Sequence, residues 1–68
     1  MTLAEYLRDA RNRRRLSIRE LATRAKLKPS TIVRIEAGTS SPRTDTLSSI
    51  LGVLCLSESE LVELVGLL

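Results

Sequence analysis

The sequence lacks most of the residue types on which catalysis and metal binding usually depend. It contains no His, Trp or Phe, one Tyr, and one Cys, Cys55. A single cysteine cannot form an intramolecular disulfide, and without His the chain has too few ligands for a zinc site. Histidine is also the most common general base of enzymes. We therefore expect a domain without catalytic activity, metal or cofactor, in which Cys55 is a small buried apolar residue.

Long apolar segments are missing as well. The longest uninterrupted run, residues 53–56, is far shorter than the ~20 residues that cross a bilayer. The first residues contain neither the basic stretch nor the apolar core of a signal peptide, and an unpaired cysteine is typical of a reducing compartment. These features predict a cytoplasmic protein without membrane contact. A chain of 68 residues predicts one domain, residues 1–68, with a small core.

Positive charge is unevenly distributed along the chain. Residues 1–43 contain all 11 Lys and Arg and four acidic residues, a net charge of +7, whereas residues 44–68 contain four acidic residues and no basic residue. Such an asymmetry is typical of a domain that binds a polyanion with one face. A basic surface that only aids solubility fits the charge equally well, and the run Arg13–Arg15 is compatible with both interpretations.

Hydrophobic periodicity predicts five helices and no strand. Three helix starts carry a capping box, in which a Ser or Thr and the Glu three residues later each bond a free N–H of the first turn. The three boxes are Thr2 with Glu5, Ser17 with Glu20, and Ser57 with Glu60. Another helix runs from Pro29, which suits a first helical position, to Ala37, because Gly38 suits a helix end. The fourth helix has its apolar stripe at Leu47, Ile50, Leu51 and Leu54.

The second and third helices predict a helix-turn-helix unit over residues 17–37. Only Lys26-Leu27-Lys28 separates the two helices, which is short enough for a tight turn. Ala22 permits a close approach of the helices, and apolar residues on both can hold the crossing angle. In such a unit the second helix, here residues 29–37, lies in the major groove of DNA.

The order of these residues resembles the lambda-repressor/Cro (Xre) family of helix-turn-helix proteins. The resemblance is carried by the segments LSIRELA (residues 16–22) and LKPSTIVRIEAG (residues 27–38). It continues with Pro42, Thr46-Leu47 and Ile50, and it covers about residues 7–64. It implies a compact, all-α, five-helix, lambda-repressor-like domain that binds operator DNA and acts as a transcriptional repressor or autoregulator.

The resemblance also implies which residues contact DNA. Arg34 can bond the O6 and N7 of guanine, although a phosphate contact or a free surface charge is the alternative. Val33 either touches a thymine methyl or is an ordinary surface residue. The positions that face base edges correspond to Lys28, Pro29, Ser30 and Arg34, with Val33 beside them. Contacts to phosphates or to the minor groove are expected from Arg11, Thr31, Arg43 and the N–H groups of Ser17 and Ile18.

Arg11 and Glu36 match a pair that links the first helix to the end of the recognition helix in this family. We expect the same ion pair here, with Arg11 aimed toward a phosphate; the alternative is two independent exposed charges.

Three positions depart from the family pattern. Ile18 replaces a polar residue, Lys28 occupies an N-cap that favours Ser or Thr, and Cys55 replaces a helix-ending Gly. Cys55 must then adopt a left-handed conformation, unless the helix ends differently.

The last helix has more apolar residues than one face needs. Four of them can complete the core: Leu61, Leu64, Val65 and Leu68. The others, together with a leucine before the helix, are expected to form a two-fold homodimer interface: Leu56, Val62 and Leu67. Such a dimer would bind an inverted-repeat operator, and the alternative is a frayed apolar terminus. A second function also fits, because the same fold can serve as a protein-interaction module, such as an antitoxin or assembly subunit, that uses this helix.

Overall fold

The computed structural model describes residues 2–67, except for the side chain of Glu58. Within these residues the chain forms five α-helices and no β-strand, which confirms the predicted all-α architecture. No helix among them has the length and apolar character that crossing a membrane requires. The helices are α1 (Leu3–Arg13), α2 (Ile18–Ala25), α3 (Pro29–Glu36), α4 (Thr44–Leu54) and α5 (Glu58–Leu67).

The predicted capping boxes form at the starts of α1, α2 and α5. In the box of α2, Glu20 N donates to Ser17 Oγ at 3.0 Å and Ser17 N donates to Glu20 Oε1 at 3.0 Å. The other two boxes have the same reciprocal bonds, between Thr2 and Glu5 and between Ser57 and Glu60. These bonds satisfy N–H groups that have no partner inside the helix. The helix starts are therefore specified by residues next to them in the sequence.

Several helices are followed by a residue in the left-handed conformation that is not glycine. The φ angles are 55° at Arg15, 59° at Lys26 and 48° at Cys55, and this conformation costs an L-residue about 1–2 kcal/mol. Cys55 thus adopts the conformation expected where the family often has Gly. The prediction that Cys55 is buried was wrong, because its side chain is exposed. At this corner Leu54 and Leu56 take the inward positions.

The core forms around the crossing of α2 and α3. Leu21 and Ala22 of α2 and Ile32 of α3 are each at most 1% exposed. Ala22 is small, so the two helices can approach closely, and Leu27 in the turn packs against the same cluster. Helices α1, α4 and α5 complete this core with Tyr6, Leu7, Ala10, Ile50, Leu54 and Leu64.

Helix α5 presents to the core a different set of residues from the one predicted. Leu64 is only 2% exposed, but Leu61 is 44% exposed and Val65 is 69% exposed. The expectation that Leu61 and Val65 complete the core was therefore wrong, and Leu68 lies outside the described residues. Leu67 packs against the core instead. Because Leu64 and Leu67 share the inward side of the helix, Leu61 and Val65 face solvent.

Candidate nucleic-acid interface

One side of α3 is anchored in the core and the other is uncovered. Ile32 and Ile35 are 1% and 4% exposed, and the helical periodicity turns the opposite side of α3 toward solvent. Pro29 is the first helical residue, and its missing N–H leaves no donor unsatisfied there. The five residues predicted to face bases are all exposed on or beside this outer side: Lys28, Pro29, Ser30, Val33 and Arg34.

The end of α3 is closed by a residue that sequence reasoning did not identify. Thr39 donates to the carbonyl oxygen of Arg34 through both its N and its Oγ1, each at 3.1 Å. The Arg34 side chain is exposed and forms no ion pair with the acidic side chains that the structure describes. The backbone of Arg34 is therefore held while its guanidinium is available to a partner. The sequence feature that indicates this cap is a Thr directly after Gly38.

Arg11 holds the end of α3 against α1. Its Nε donates to Glu36 Oε2 at 2.8 Å, its Nη2 donates to Glu36 Oε1 at 3.0 Å, and its Nη1 donates to the carbonyl oxygen of Leu16 at 2.7 Å. The two paired side chains are only 11% and 6% exposed, and the bond from Glu36 raises the pKa of Arg11. Since three N–H groups point inward, a phosphate contact by Arg11 has to use the remaining two.

The start of α2 is partly occupied by a carboxylate of the chain itself. The Ser17 N–H, which was expected to bind a phosphate, donates to Glu20 instead. Hydrogen bonds from Ser17 lower the pKa of Glu20, so this carboxylate is negatively charged at neutral pH. The N–H groups of Ile18 and Arg19 have no hydrogen-bond partner in the described part of the chain, while the Ile18 side chain packs against the core. A phosphate at this helix start would therefore meet Ile18 and Arg19 rather than Ser17.

Further polar and basic residues lie around α3. Thr31 is half-buried in the first turn of α3, and Arg43 is exposed at the N-cap of α4. Arg8, which sequence reasoning did not single out, is also exposed. It lines a groove of about 510 Å³ between the start of α1 and the loop after α3, together with Ser40 and Ser41. The sequence could have indicated Arg8, because it lies three residues before Arg11 and residues with this spacing are neighbours on the surface of a helix.

Two residues of the basic run Arg13–Arg15 are engaged in ion pairs. Arg14 Nη2 lies 3.0 Å from Glu60 Oε1, and Arg13 Nε lies 3.3 Å from Asp9 Oδ2. Arg15 forms no ion pair with the residues that the structure describes. The pair of Arg14 and Glu60 joins α1 to α5 across 46 positions of the sequence, so no local pattern predicts it.

Comparison with known proteins agrees with this geometry. A family model described as a helix-turn-helix domain matches residues 2–64. The match includes all of α1 to α4, most of α5, and every residue of the surface around α3. No curated protein matches the chain.

Proposed function

The chain belongs to the helix-turn-helix domain family, and we therefore propose that it regulates transcription by binding a specific operator in double-stranded DNA with α3, as a homodimer. Repression or autoregulation is the form of control that this proposal favours, because blocking a promoter requires only that the operator be occupied. Membership of this family supports the fold and DNA as the partner. We propose in addition which residues read bases, how the complex is arranged and in which direction transcription is controlled.

The observation that carries the proposal is the uncovered outer side of α3. Arg34 has an exposed guanidinium on a helix whose inner side is fixed in the core, which supports a bidentate bond to the O6 and N7 of guanine. Ser30 can donate to or accept from a base edge. Pro29 and Val33 have no polar side-chain atoms, so each can only pack against a thymine methyl.

Contacts to the DNA backbone supply most of the affinity in this proposal. Lys28 and Thr31 lie at the start of α3, and Arg43 is exposed at the N-cap of α4. The N–H groups of Ile18 and Arg19 are available at the start of α2. Residues 1–43 carry a net charge of +7. Neutralising phosphates with such charges releases counterions, so affinity is expected to fall steeply as the salt concentration rises.

The homodimer is proposed to form through the outer face of α5. The interface predicted from the sequence consisted of Leu56, Val62 and Leu67, but Leu56 and Leu67 are partly buried against the core of their own chain. We propose a revised interface that consists of Leu61, Val62 and Val65, which are 44%, 69% and 69% exposed. A second copy of the chain would cover these side chains and place two recognition helices about 34 Å apart on an inverted repeat.

Fluorescence anisotropy tests the proposal directly. The wild-type chain first selects duplexes from a random pool, and its affinity for a selected duplex and for a random duplex is then measured at two salt concentrations. We expect salt-sensitive binding to both duplexes and tighter binding to the selected one. Arg34→Ala is expected to lose roughly tenfold or more on the selected duplex and much less on the random one, because it removes a base contact.

Arg43→Ala is the control for this experiment, since the loss of a phosphate contact weakens binding to both duplexes by a similar factor. Equal losses on the two duplexes in Arg34→Ala would contradict base reading by that residue. No salt-sensitive binding to any duplex would contradict the proposed function and favour the protein-interaction module instead.

A further inference from the structure

The polar contacts of α1 connect two surfaces with different roles in DNA binding. We propose that Arg14 and Glu60 are positioning residues that set the angle between the recognition helix and the dimer face of α5. Through that angle they determine which spacing between half-sites the homodimer accepts. The inference rests on the proposed function and goes beyond it, because neither residue is expected to touch DNA.

Glu60 fastens the start of α5 to α1. Its Oε1 accepts from Arg14 Nη2 at 3.0 Å and from Ser57 N at 2.9 Å, and its Oε2 lies 3.4 Å from Arg14 Nη1 and 3.6 Å from Arg13 Nη1. The carbonyl oxygen of Glu60 accepts from Tyr6 Oη at 2.7 Å. The Glu60 side chain is only 17% exposed. Because several directional hydrogen bonds meet at this one residue, they restrict the rotation of α5 about its own axis.

The same end of α1 also holds the recognition helix. Arg11, three residues before Arg14, forms the bidentate pair with Glu36, the last residue of α3. Arg14 in turn reaches the carbonyl oxygen of Cys55 at 3.4 Å, at the corner between α4 and α5. The orientation of α3 and the orientation of α5 are therefore both set by side chains at the end of α1, from Arg11 in its last turn and from Arg14 at its C-cap.

The apolar contacts of α5 do not determine its rotation as strongly. Leu64 is the buried residue of this helix, and Leu67 is partly buried. Leu61 and Val65, on neighbouring sides of the helix, are apolar as well, so the burial of apolar side chains alone does not single out one rotation. The bonds of Glu60 favour the observed rotation, in which Leu61 and Val65 belong to the dimer face.

The experiment compares duplexes that differ only in spacer length. The inverted repeat selected by the wild-type chain is rebuilt with spacers longer or shorter by one base pair, and a single half-site is prepared as a reference. Anisotropy gives the Kd of the wild type and of Arg14→Gln for each duplex, and analytical ultracentrifugation gives the oligomeric state. Arg15→Gln is the matched control, because it removes the same charge from a neighbouring residue that forms no ion pair with the side chains that the structure describes.

We expect Arg14→Gln to reduce the ratio between the Kd values for altered and original spacers by about threefold or more. Its affinity for the half-site is expected to fall only as much as that of Arg15→Gln. Glu60→Gln is a second variant with the same expected effect, since its amide oxygen still accepts from Ser57 N and its backbone still accepts from Tyr6. Circular dichroism confirms folding, and if one variant does not fold the other decides the result.

The two possible failures are distinguishable. A dimeric variant with the wild-type spacer ratio overturns the positioning role and leaves the proposed function intact. A wild-type chain that binds DNA as a monomer without spacer preference overturns the proposed dimer, and the positioning role with it.

Discussion

At the scale of single residues, the Glu20 carboxylate lies where a DNA phosphate is expected to bind. The capping box that starts α2 uses the Ser17 N–H, and a phosphate at the same helix start would compete for that donor. A helix N-terminus attracts any anion, so we expect the Glu20 charge, which stabilises the start of α2, to repel a DNA phosphate at this position. The capping box predicted from the sequence already engages the Ser17 N–H with Glu20, so it competes with the phosphate contact expected at that donor.

We predict that Glu20→Gln binds a random duplex more tightly than the wild type, by roughly two- to fivefold, because one repulsive charge is removed from the interface. The amide oxygen of Gln still accepts from Ser17 N, so α2 is expected to start at the same residue. The measurement is fluorescence anisotropy at low salt.

Glu5→Gln is the matched control for Glu20→Gln. Glu5 belongs to the equivalent capping box of α1, and hydrogen bonds from Thr2 lower its pKa in the same way. It lies outside the helix-turn-helix unit, so its replacement removes the same charge from a different helix start. A Glu5→Gln variant that gains as much affinity as Glu20→Gln would show that Glu20 has no local effect on phosphate binding.

At the scale of elements, the attachment of α5 involves two ionisable residues, Glu60 and Tyr6. The bond from Arg14, followed by that from Ser57, lowers the pKa of Glu60 from 4.5 to about 2. Burial, and then the carboxylates of Glu60 and Glu63, raise the pKa of Tyr6 above 10.0. Both groups join α5 to α1 through the bonds described above, so their titration should affect this contact first.

We predict that the Tm of the wild type is highest at pH values between the titration of Glu60 and the titration of Tyr6. The Tm is expected to fall at lower and at higher pH. A carboxylate whose pKa is lower in the folded state contributes stability above its ordinary pKa, and that contribution is lost as the pH falls from 4.5 toward about 2. A phenol whose pKa is raised contributes below pH 10.0, and its contribution is lost as the pH rises above that value. Thermal unfolding followed by circular dichroism measures both limbs.

Glu60→Gln separates the contribution of Glu60 to the acid limb from those of Glu5 and Glu20, whose pKa values are also lowered. The variant is expected to show a smaller drop in Tm between about pH 5 and about pH 2 than the wild type, because it has no carboxylate to protonate at this position. Equal drops in the two proteins would mean that protonation of Glu60 does not loosen α5.

At the scale of the whole molecule, we propose that DNA binds the uncovered side of α3 and that a second copy of the chain binds the apolar face of α5. A small domain gains little stability from its own core, so a dimer through α5 would add buried apolar surface as well as a second recognition helix. The outer face of α5 carries Leu61, Val62 and Val65. Because these side chains are exposed, substitutions among them can test the dimer without disturbing the fold.

We predict that Val62→Asp combined with Val65→Asp converts a dimer into a monomer, because four carboxylates would face one another across the two-fold axis. Leu67 is avoided, since it packs against the core and its replacement would also destabilise the monomer. Sedimentation velocity measures the change, and binding to the inverted repeat is expected to fall to the level of a single half-site.

Ser48→Asp combined with Ser49→Asp is the control for this double substitution. Both serines are exposed on α4, so the pair adds the same negative charge on a different helix. This control is expected to sediment like the wild type. A Val62→Asp, Val65→Asp variant that also sediments like the wild type, while the wild type is dimeric, would place the interface on another surface.

The sequence by itself determined where α1, α2, α3 and α5 start and which sides of α2 and α4 are buried. Capping boxes act within a few residues, and the apolar stripes of these helices, such as Ile50 and Leu54 in α4, recur with the helical period, so both signals are local. Only the tertiary structure decided which side of α5 faces the core, because this helix has apolar residues on most of its sides. The deciding contacts come from Arg14 and Tyr6, which are 46 and 54 positions away from Glu60, and helical periodicity carries no information about such distant partners.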